Sequence, residues 1–133
     1  MLAITSKSPY AVRALTELAR RQAGQPVPIA EIARARNIPA QFLEGLFATL
    51  RRAGVLQSQR GVKGGYLFGR PPAEVTVLEV VELLEGELGA EAEAAGPVWV
   101  ESVEAVRAVL GRTTIADVAE TEARAAGAVM YHI

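Results

Sequence analysis

The stretch that decides the fold is residues 51–70, which read RRAGVLQSQRGVKGGYLFGR. This pattern predicts the end of a helix, a short strand, a tight tip and a second short strand. The tip carries two basic residues and three glycines, namely Arg60, Lys63, Gly61, Gly64 and Gly65. Glycine permits the positive-φ turn that a tight hairpin needs and lets the tip approach another surface closely. The stretch is typical of a DNA-binding wing, although any β-hairpin can carry two basic residues.

Charge is divided sharply between the two halves of the chain. Residues 1–70 hold eleven Lys or Arg against three Glu, a net charge of +8. Residues 71–133 hold three Arg against twelve acidic residues, a net charge of −9. Such a division is expected when a DNA-binding module is joined to one that avoids DNA. Solvated helix faces could explain either half, but they explain the change of sign less well.

Composition excludes several classes of protein. The chain has 133 residues, half of them hydrophobic, which is enough for one real core. It begins without the features of a secretory signal, and no apolar run approaches the ~18 residues of a membrane span, so a cytoplasmic protein with no membrane contact is expected. The absence of cysteine excludes disulfides, a thiol redox switch, a thiolate-bound iron–sulfur cluster and a cysteine zinc site.

Three helices are predicted before the hairpin, over about residues 9–23, 29–36 and 40–53. Ser8 is expected to cap the first helix, with proline following at its first position. Asn37 should make the turn between the second and third helices. Two short helices joined by a tight turn and followed by a basic hairpin predict a winged helix-turn-helix, in which the third helix enters the major groove.

The DNA-binding surface is predicted from that geometry. Ala40, Gln41 and Glu44 lie near the start of the third helix and are candidates for contact with base edges. Glu44 is equally well explained as a surface acid favoured by the helix dipole. The phosphate and groove contacts are expected from Lys7 before the first helix, from Arg51 and Arg52 at the end of the third, and from Arg60 and Lys63 on the wing.

The C-terminal half is predicted to mediate association. Thr76 and Glu79 form a capping box that opens a helix ending at Gly86, and Thr114 with Asp117 opens a last helix that runs to about residue 126. Between them, an apolar seam follows Pro97, with Trp99, Val103, Val106 and Leu110 as the expected dimerisation residues. The alternative is that all three helices pack within one chain. The resulting organisation is a winged domain over 1–86 and an acidic loop, dimerisation helix and C-terminal helix over 87–133.

No catalytic or metal site is predicted. Glu87, Glu91 and Glu93 are spaced acids without a fixed ligand geometry, and the expectation is a solvated acidic loop. His132, the only histidine, is expected to be inert. The chain offers no pair of nucleophile and base and no phosphate-binding loop, so an enzyme is not expected, and neither is a cofactor or a metal.

An ordered set of motifs carries a family resemblance over most of the chain. The motifs are Ser8-Pro-Tyr10-Ala-Val-Arg-Ala-Leu15, Ile38-Pro39, Phe42-Leu43-Glu44, Leu50-Arg51-Arg-Ala-Gly54-Val-Leu56, Arg60-Gly61, Gly64-Gly65-Tyr66-Leu67 and Leu84-Glu85-Gly86. Together they resemble the Rrf-two family of bacterial transcription regulators. The resemblance implies a homodimeric winged-helix repressor or activator on a pseudo-palindromic operator. It also implies that Gln41, Phe42, Glu44 and Gly45 lie on the recognition helix and that Arg60 lies on a wing that enters the minor groove.

The chain departs from the family pattern in one interval. Many members carry three cysteines between the Glu-Gly motif and the dimerisation helix, whereas residues 87–97 of this chain contain none. The expected function is therefore that of a sequence-specific, homodimeric DNA-binding regulator, a repressor, that lacks an iron–sulfur cluster and responds to a small-molecule or protein effector, if to any. The alternative is a protein-interaction module that keeps the winged-helix fold without binding DNA.

Overall fold

The computed structural model describes residues 3–21 and 24–131, with side chains through residue 128. Its elements, in chain order, are α1 (Lys7–Arg21), α2 (Ile29–Arg36), α3 (Ala40–Arg52), β1 (Leu56–Gln59), β2 (Gly65–Phe68), a 3₁₀ turn (Pro72–Glu74), α4 (Val77–Glu85), α5 (Ala92–Ala95), α6 (Pro97–Arg112) and α7 (Ile115–Tyr131). The fold is mainly helical with one small antiparallel hairpin, as the sequence predicts. None of the helices described is long and apolar enough to cross a membrane.

The start of α1 differs from the prediction. The helix begins at Lys7, two residues early, and the Lys7 backbone N–H donates to Thr5 Oγ1 at 3.2 Å. Ser8 is buried inside the first turn, where its hydroxyl donates to Glu85 Oε2 at 2.7 Å. The prediction that Ser8 caps the helix is therefore wrong, because its hydroxyl bonds to a residue of α4. The predicted end of this helix at residue 23 lies outside the described residues.

The helix-turn-helix forms as the sequence predicts. Asn37 ends α2 in the left-handed conformation, at φ 54° and ψ 50°, and is the one described non-glycine residue with a positive φ. Asparagine tolerates this conformation better than most residues. The Ile38 N–H then donates to the Ala33 carbonyl at 2.9 Å, and Pro39 directs the chain into α3. The core beneath α3 contains Phe47, which is fully buried.

The wing consists of β1 and β2 paired antiparallel, with Gln59 opposite Gly65 and Leu56 opposite Phe68. Gly65 has a φ of +150°, and a Cβ there would lie 2.4 Å from the Val27 carbonyl oxygen. That close approach allows Val27 and Tyr66 to exchange two backbone hydrogen bonds of 2.8 Å, so the connector before α2 is joined to the hairpin. This additional strand-like pairing is not evident from the sequence.

The capping boxes of the second half form to different degrees. Thr76 Oγ1 accepts from the Glu79 N–H at 3.1 Å, while the Glu79 carboxylate accepts from Arg70. The box at the start of α7 is reciprocal, since the Thr114 N–H donates to Asp117 at 2.9 Å and the Asp117 N–H donates to Thr114 at 3.0 Å. Helix α7 then runs to Tyr131, about five residues beyond the predicted end.

The C-terminal helix returns to the N-terminal half. Ile115 and Ala119 are buried in the same apolar cluster as Leu15 and Phe47, so α7 packs against α1. The division at residue 86 remains a prediction of domain organisation, and the structure shows in addition that α7 contributes to the core of the winged half.

Candidate nucleic-acid interface

One face of α3 is open to solvent over its first turns and again at its C-terminal end. Ala40, Gln41 and Glu44 are exposed, as predicted for the residues that would face a DNA groove. Gly45 is also exposed, and the space where its Cβ would stand is open to 4 Å. Because small residues interrupt the side chains of this face, the helix backbone can approach a groove closely. The opposite face of the helix is buried in the core.

The wing is fixed to the recognition helix by side-chain contacts. Phe47 on α3 and Tyr66 on β2 pack edge to face, with ring centroids 5.1 Å apart and an interplanar angle of 70°. The Arg51 guanidinium reaches Ser58 Oγ on β1 at 3.5 Å. These contacts hold helix α3 and the hairpin together as one unit.

Lys7 is linked to this surface through the first turns of α1. Tyr10 lies one turn after Lys7 on the same side of the helix. Its ring packs edge to face on Phe42 of α3, with centroids 5.7 Å apart. Lys7 is exposed, and the contact of Tyr10 with Phe42 joins the first turns of α1 to the start of the recognition helix.

The wing tip presents the two predicted cations. Arg60 and Lys63 are both exposed, and the Gly64 N–H closes the turn by donating to the Gly61 carbonyl at 3.0 Å. Gly61 has a φ of +110°, as the sequence predicts, but Gly64 does not adopt a positive φ. Gly64 is needed for a different reason, because a Cβ there would lie 2.4 Å from the Gln59 carbonyl oxygen.

Ion pairing distinguishes the basic residues of the chain. Within the described residues, six arginines each pair with a glutamate, namely Arg20, Arg21, Arg36, Arg70, Arg107 and Arg124. Those without an ion pair there include Lys7, Arg13, Arg34 and Arg112. In the same part of the chain, no carboxylate lies within ion-pair distance of the basic residues on α3 and the wing, which are Arg51, Arg52, Arg60 and Lys63. An array of cations without acidic partners is the electrostatic footprint expected of a surface that binds phosphates.

Arg34 is a further candidate for this surface that was not predicted from the sequence. Arg34 is exposed in the last turn of α2, and it borders the same shallow depression as Asn37, Pro39 and Ala40. It therefore lies near the start of α3, where it would add a phosphate contact. Its position three residues before Asn37 was the available signal, because the first helix of a helix-turn-helix crosses the DNA backbone.

The segment between α4 and α6 lacks the ligands of an iron–sulfur cluster. It contains no cysteine, and Glu87, Glu91 and Glu93 are all exposed, as predicted for a solvated acidic segment. The described residues contain no group of three or more side chains placed to hold a metal ion. The residues present do not fit a thiolate-bound cluster.

The same segment is more ordered than the loop that was predicted. It includes the short helix α5, and Leu88 and Ala92 are buried. Glu82 of α4 accepts hydrogen bonds from the Leu88 N–H at 3.0 Å and from Arg107 of α6 at 2.5 Å. Burial raises the pKa of Glu82, but these hydrogen bonds outweigh it and leave the pKa below 4.5.

Helix α6 has two apolar faces, and the predicted dimerisation residues are divided between them. Val103 is only 5% exposed, packed against the α5 segment within the same chain. Trp99 and Val109 are 46% and 47% exposed. Val106 and Leu110 are half-buried. The structure therefore assigns Val103 to the packing of its own chain and leaves a seam at spacings of three and four, formed by Trp99, Ser102, Val106 and Val109.

A helix-turn-helix with an exposed recognition face and an adjoining basic wing defines the class of winged-helix DNA-binding transcription regulators. The chain belongs to the Rrf-two family, since the Rrf2 family, described as an iron-dependent transcriptional regulator, matches residues 4–121. Its relatives include the HTH-type transcriptional regulator CymR of Bacillus subtilis, 32% identical over 136 residues that cover 98% of this chain and 99% of CymR.

Solved structures give the same assignment. The structure of CymR (YrzC), the global cysteine regulator of B. subtilis, matches 91% of this chain and 98% of its own with a TM-score of 0.82 and 33% identity. The structure of T. potens IscR matches 91% of this chain and 88% of its own with a TM-score of 0.79 and 32% identity. This chain is therefore a DNA-binding transcription regulator and not an enzyme.

Proposed function

We propose that this chain is a homodimeric, sequence-specific repressor that binds a pseudo-palindromic operator and works without an iron–sulfur cluster. The observation that carries the proposal is the continuous surface of α3 and the wing, on which Arg51, Arg52, Arg60 and Lys63 have no carboxylate partner among the residues described. Repression would require only that the bound protein exclude the transcription machinery from the operator.

The proposed roles of the individual residues follow from their positions. Ala40, Gln41 and Glu44 face base edges in the major groove. Arg60 enters the minor groove, with Lys63 beside it on the wing. The remaining cations contact phosphates and fix the register of the protein on the duplex, and they are Lys7, Arg34, Arg51 and Arg52.

Dimerisation is proposed to use the exposed seam of α6, in which Trp99 is the largest side chain. A tryptophan that is 46% exposed beside exposed valines is a surface that a second copy of the helix would bury. One winged helix reads one half-site, so a two-fold dimer provides the second half-site.

The absence of a cluster is proposed from the chemistry of the donor set. No thiolate is available anywhere in the chain. The two helices that flank the segment, α4 and α6, are joined by the hydrogen bond from Arg107 to Glu82. The regulator would respond to a small-molecule or protein effector, or to no signal at all, and it would act in the cytoplasm, where the bacterial chromosome lies.

Selection of bound sequences from a pool of random double-stranded DNA tests the proposal. The expected result is an inverted repeat whose half-sites are separated by about one helical turn, roughly 10 base pairs. Electrophoretic shift of the selected site at moderate salt should then persist in excess competitor DNA. Recovery of no preferred sequence would contradict sequence-specific binding, and it would favour the alternative of a protein-interaction module.

A further inference from the structure

Helix α7 contacts the helix-turn-helix through a cluster of charged side chains at the end of α2. The Arg36 guanidinium donates to both carboxylate oxygens of Glu122, at 2.9 Å from Nη1 to Oε2 and at 2.7 Å from Nη2 to Oε1. Arg20 of α1 donates to the same carboxylate at 2.8 Å. A two-point Arg–carboxylate contact fixes both distance and orientation, unlike a contact through a single atom.

The contact between Glu122 and Arg36 lies at the turn of the helix-turn-helix. Arg36 is the last residue of α2 and directly precedes Asn37, the left-handed residue that turns the chain toward the recognition helix. Its side chain is only 14% exposed, and its Nε donates to Glu17 of α1 at 2.9 Å. The end of α2 is thus held from two sides, by Glu17 on α1 and by Glu122 on α7.

Further contacts connect the same point to α3. The Arg36 carbonyl accepts a hydrogen bond from Arg13 at 2.7 Å. The Arg13 guanidinium lies 5.8 Å from the centroid of the Tyr10 ring, which packs on Phe42 near the start of α3. Contacts of this kind show that the elements are connected, while energetic coupling between them has to be measured.

We propose that Glu122 is a positioning residue for DNA recognition, through which helix α7 sets the orientation of the helix-turn-helix. This inference rests on the proposed function. Glu122 is on the acidic half of the chain and contacts no residue of the proposed DNA surface directly. A displacement of α7, whether by dimerisation or by an effector, would therefore change the placement of α2 and of the recognition helix after it.

The test compares Glu122→Gln with Glu120→Gln, two isosteric changes that each remove one charge from α7. Glu120 is exposed and pairs with Arg124 on the same helix, so its replacement is the matched control. Dissociation constants are measured for the selected site and for unrelated DNA, with the active fraction determined by titration. Glu122→Gln should weaken binding to the selected site about tenfold. Its binding to unrelated DNA, and both affinities of Glu120→Gln, should change less than about twofold.

A double-mutant cycle with Arg36→Gln separates positioning from general loss of structure. If the two side chains act through their contact, the double variant should lose little more affinity than either single variant. Loss of folded protein would reduce the active fraction and would leave the ratio of specific to unrelated affinity unchanged, which would overturn the inference.

The outcomes also separate this inference from the proposed function. Unchanged affinity of Glu122→Gln for a site that the wild type binds would overturn the positioning role and leave the regulator intact. If Glu122→Gln does not fold, Glu122→Asp provides the measurement, since it keeps the carboxylate but shortens its reach, and equal affinity to wild type would again overturn the role. Failure of the wild type to select any site would instead contradict the proposed function.

Discussion

Phe47 and Tyr66 join the recognition helix to the wing by an edge-to-face contact with ring centroids 5.1 Å apart. Phe47 is fully buried, whereas Tyr66 is half-buried on strand β2. Tyr66 also exchanges backbone hydrogen bonds with Val27 in the connector before α2. The aromatic pair and these backbone hydrogen bonds thus join the recognition helix, the wing and the connector before α2.

Replacement of Phe47 by alanine should therefore be strongly destabilising. The change removes a fully buried ring and leaves a cavity at the junction of α3 and the wing, at a cost of about 3–5 kcal/mol. Chemical denaturation followed by circular dichroism measures this loss. Val62→Ala at the fully exposed wing tip is the control, and it should stay within about 0.5 kcal/mol of wild type. Equal stability of the two variants would contradict the assignment of Phe47 to the core.

Gly45→Ala should move stability and DNA binding in opposite directions. The Cβ would meet nothing within 4 Å, so alanine should stabilise α3 by roughly 0.5–1 kcal/mol. The added methyl stands on the face that approaches the groove, and binding should weaken. Gly127→Ala on α7 is the control, since it should stabilise its helix equally without affecting DNA binding. Thermal melts and binding titrations measure the two effects, and undiminished affinity of Gly45→Ala would show that the helix does not approach DNA there.

Arg60→Ala should weaken operator binding by about 1–3 kcal/mol if the arginine makes a specific groove contact. Loss of one phosphate-neutralising cation should also reduce the salt dependence of the binding constant by about one unit of slope. Titrations between low and moderate salt measure both quantities. Arg124→Ala, which removes an exposed arginine from α7, should leave affinity and slope unchanged. Wild-type affinity in Arg60→Ala would show that the wing stays off the DNA.

Trp99→Ala should abolish dimerisation while the winged fold is retained, because the tryptophan lies on the exposed seam of α6. Val103→Ala should have the opposite effect, since Val103 is buried within its own chain. Removing two methyl groups there should cost about 1.5 kcal/mol of stability and leave the dimer in place. Sedimentation velocity and thermal unfolding separate the two results. A dimer of undiminished affinity in Trp99→Ala would refute the proposed interface.

Acid should weaken the contact between α7 and the helix-turn-helix. The hydrogen bond from Arg36, assisted by Arg20, lowers the pKa of Glu122 from 4.5 to about 2. Because this pKa is lower in the folded protein than in the unfolded chain, its contribution to stability is present above about pH 4.5 and is lost as the pH falls through about 2.

Since the Glu122 side chain is 34% exposed, solvent screening limits that contribution to about 1–2 kcal/mol. The free energy of unfolding of wild type and of Glu122→Gln should converge between pH 4.5 and pH 2, with Glu120→Gln following the wild type. Glu17 accepts a hydrogen bond from the same arginine, Arg36. Burial raises the pKa of Glu17, but the hydrogen bonds from Arg21 and Arg36 outweigh this effect and lower the pKa. A constant difference between wild type and Glu122→Gln across this range would contradict the assigned pairing.

Local features of the fold were accessible from the sequence because each depends on residues close together in the chain. The left-handed turn at Asn37, the positive φ at Gly61 and the reciprocal cap of Thr114 and Asp117 are all of this kind. The helix-turn-helix and the wing follow from such signals in order, and with them the candidate residues of the DNA surface.

Features that depend on distant residues were not accessible. Ser8 has the chemistry of a cap, yet its hydroxyl bonds to Glu85, which lies 77 positions away in the chain. The exchange of hydrogen bonds between Val27 and Tyr66 is equally invisible, since one residue lies in a connector and the other in a strand.

The sequence by itself determined that this chain has a winged helix-turn-helix, a basic N-terminal half and no thiolate for a metal cluster, because composition and local spacing specify these properties. Only the tertiary structure decided that Val103 packs within its own chain while Trp99 faces solvent, and that Glu122 holds Arg36 at the end of α2. Helical periodicity shows that a face is apolar or charged. Which surface covers that face depends on contacts between residues far apart in the chain.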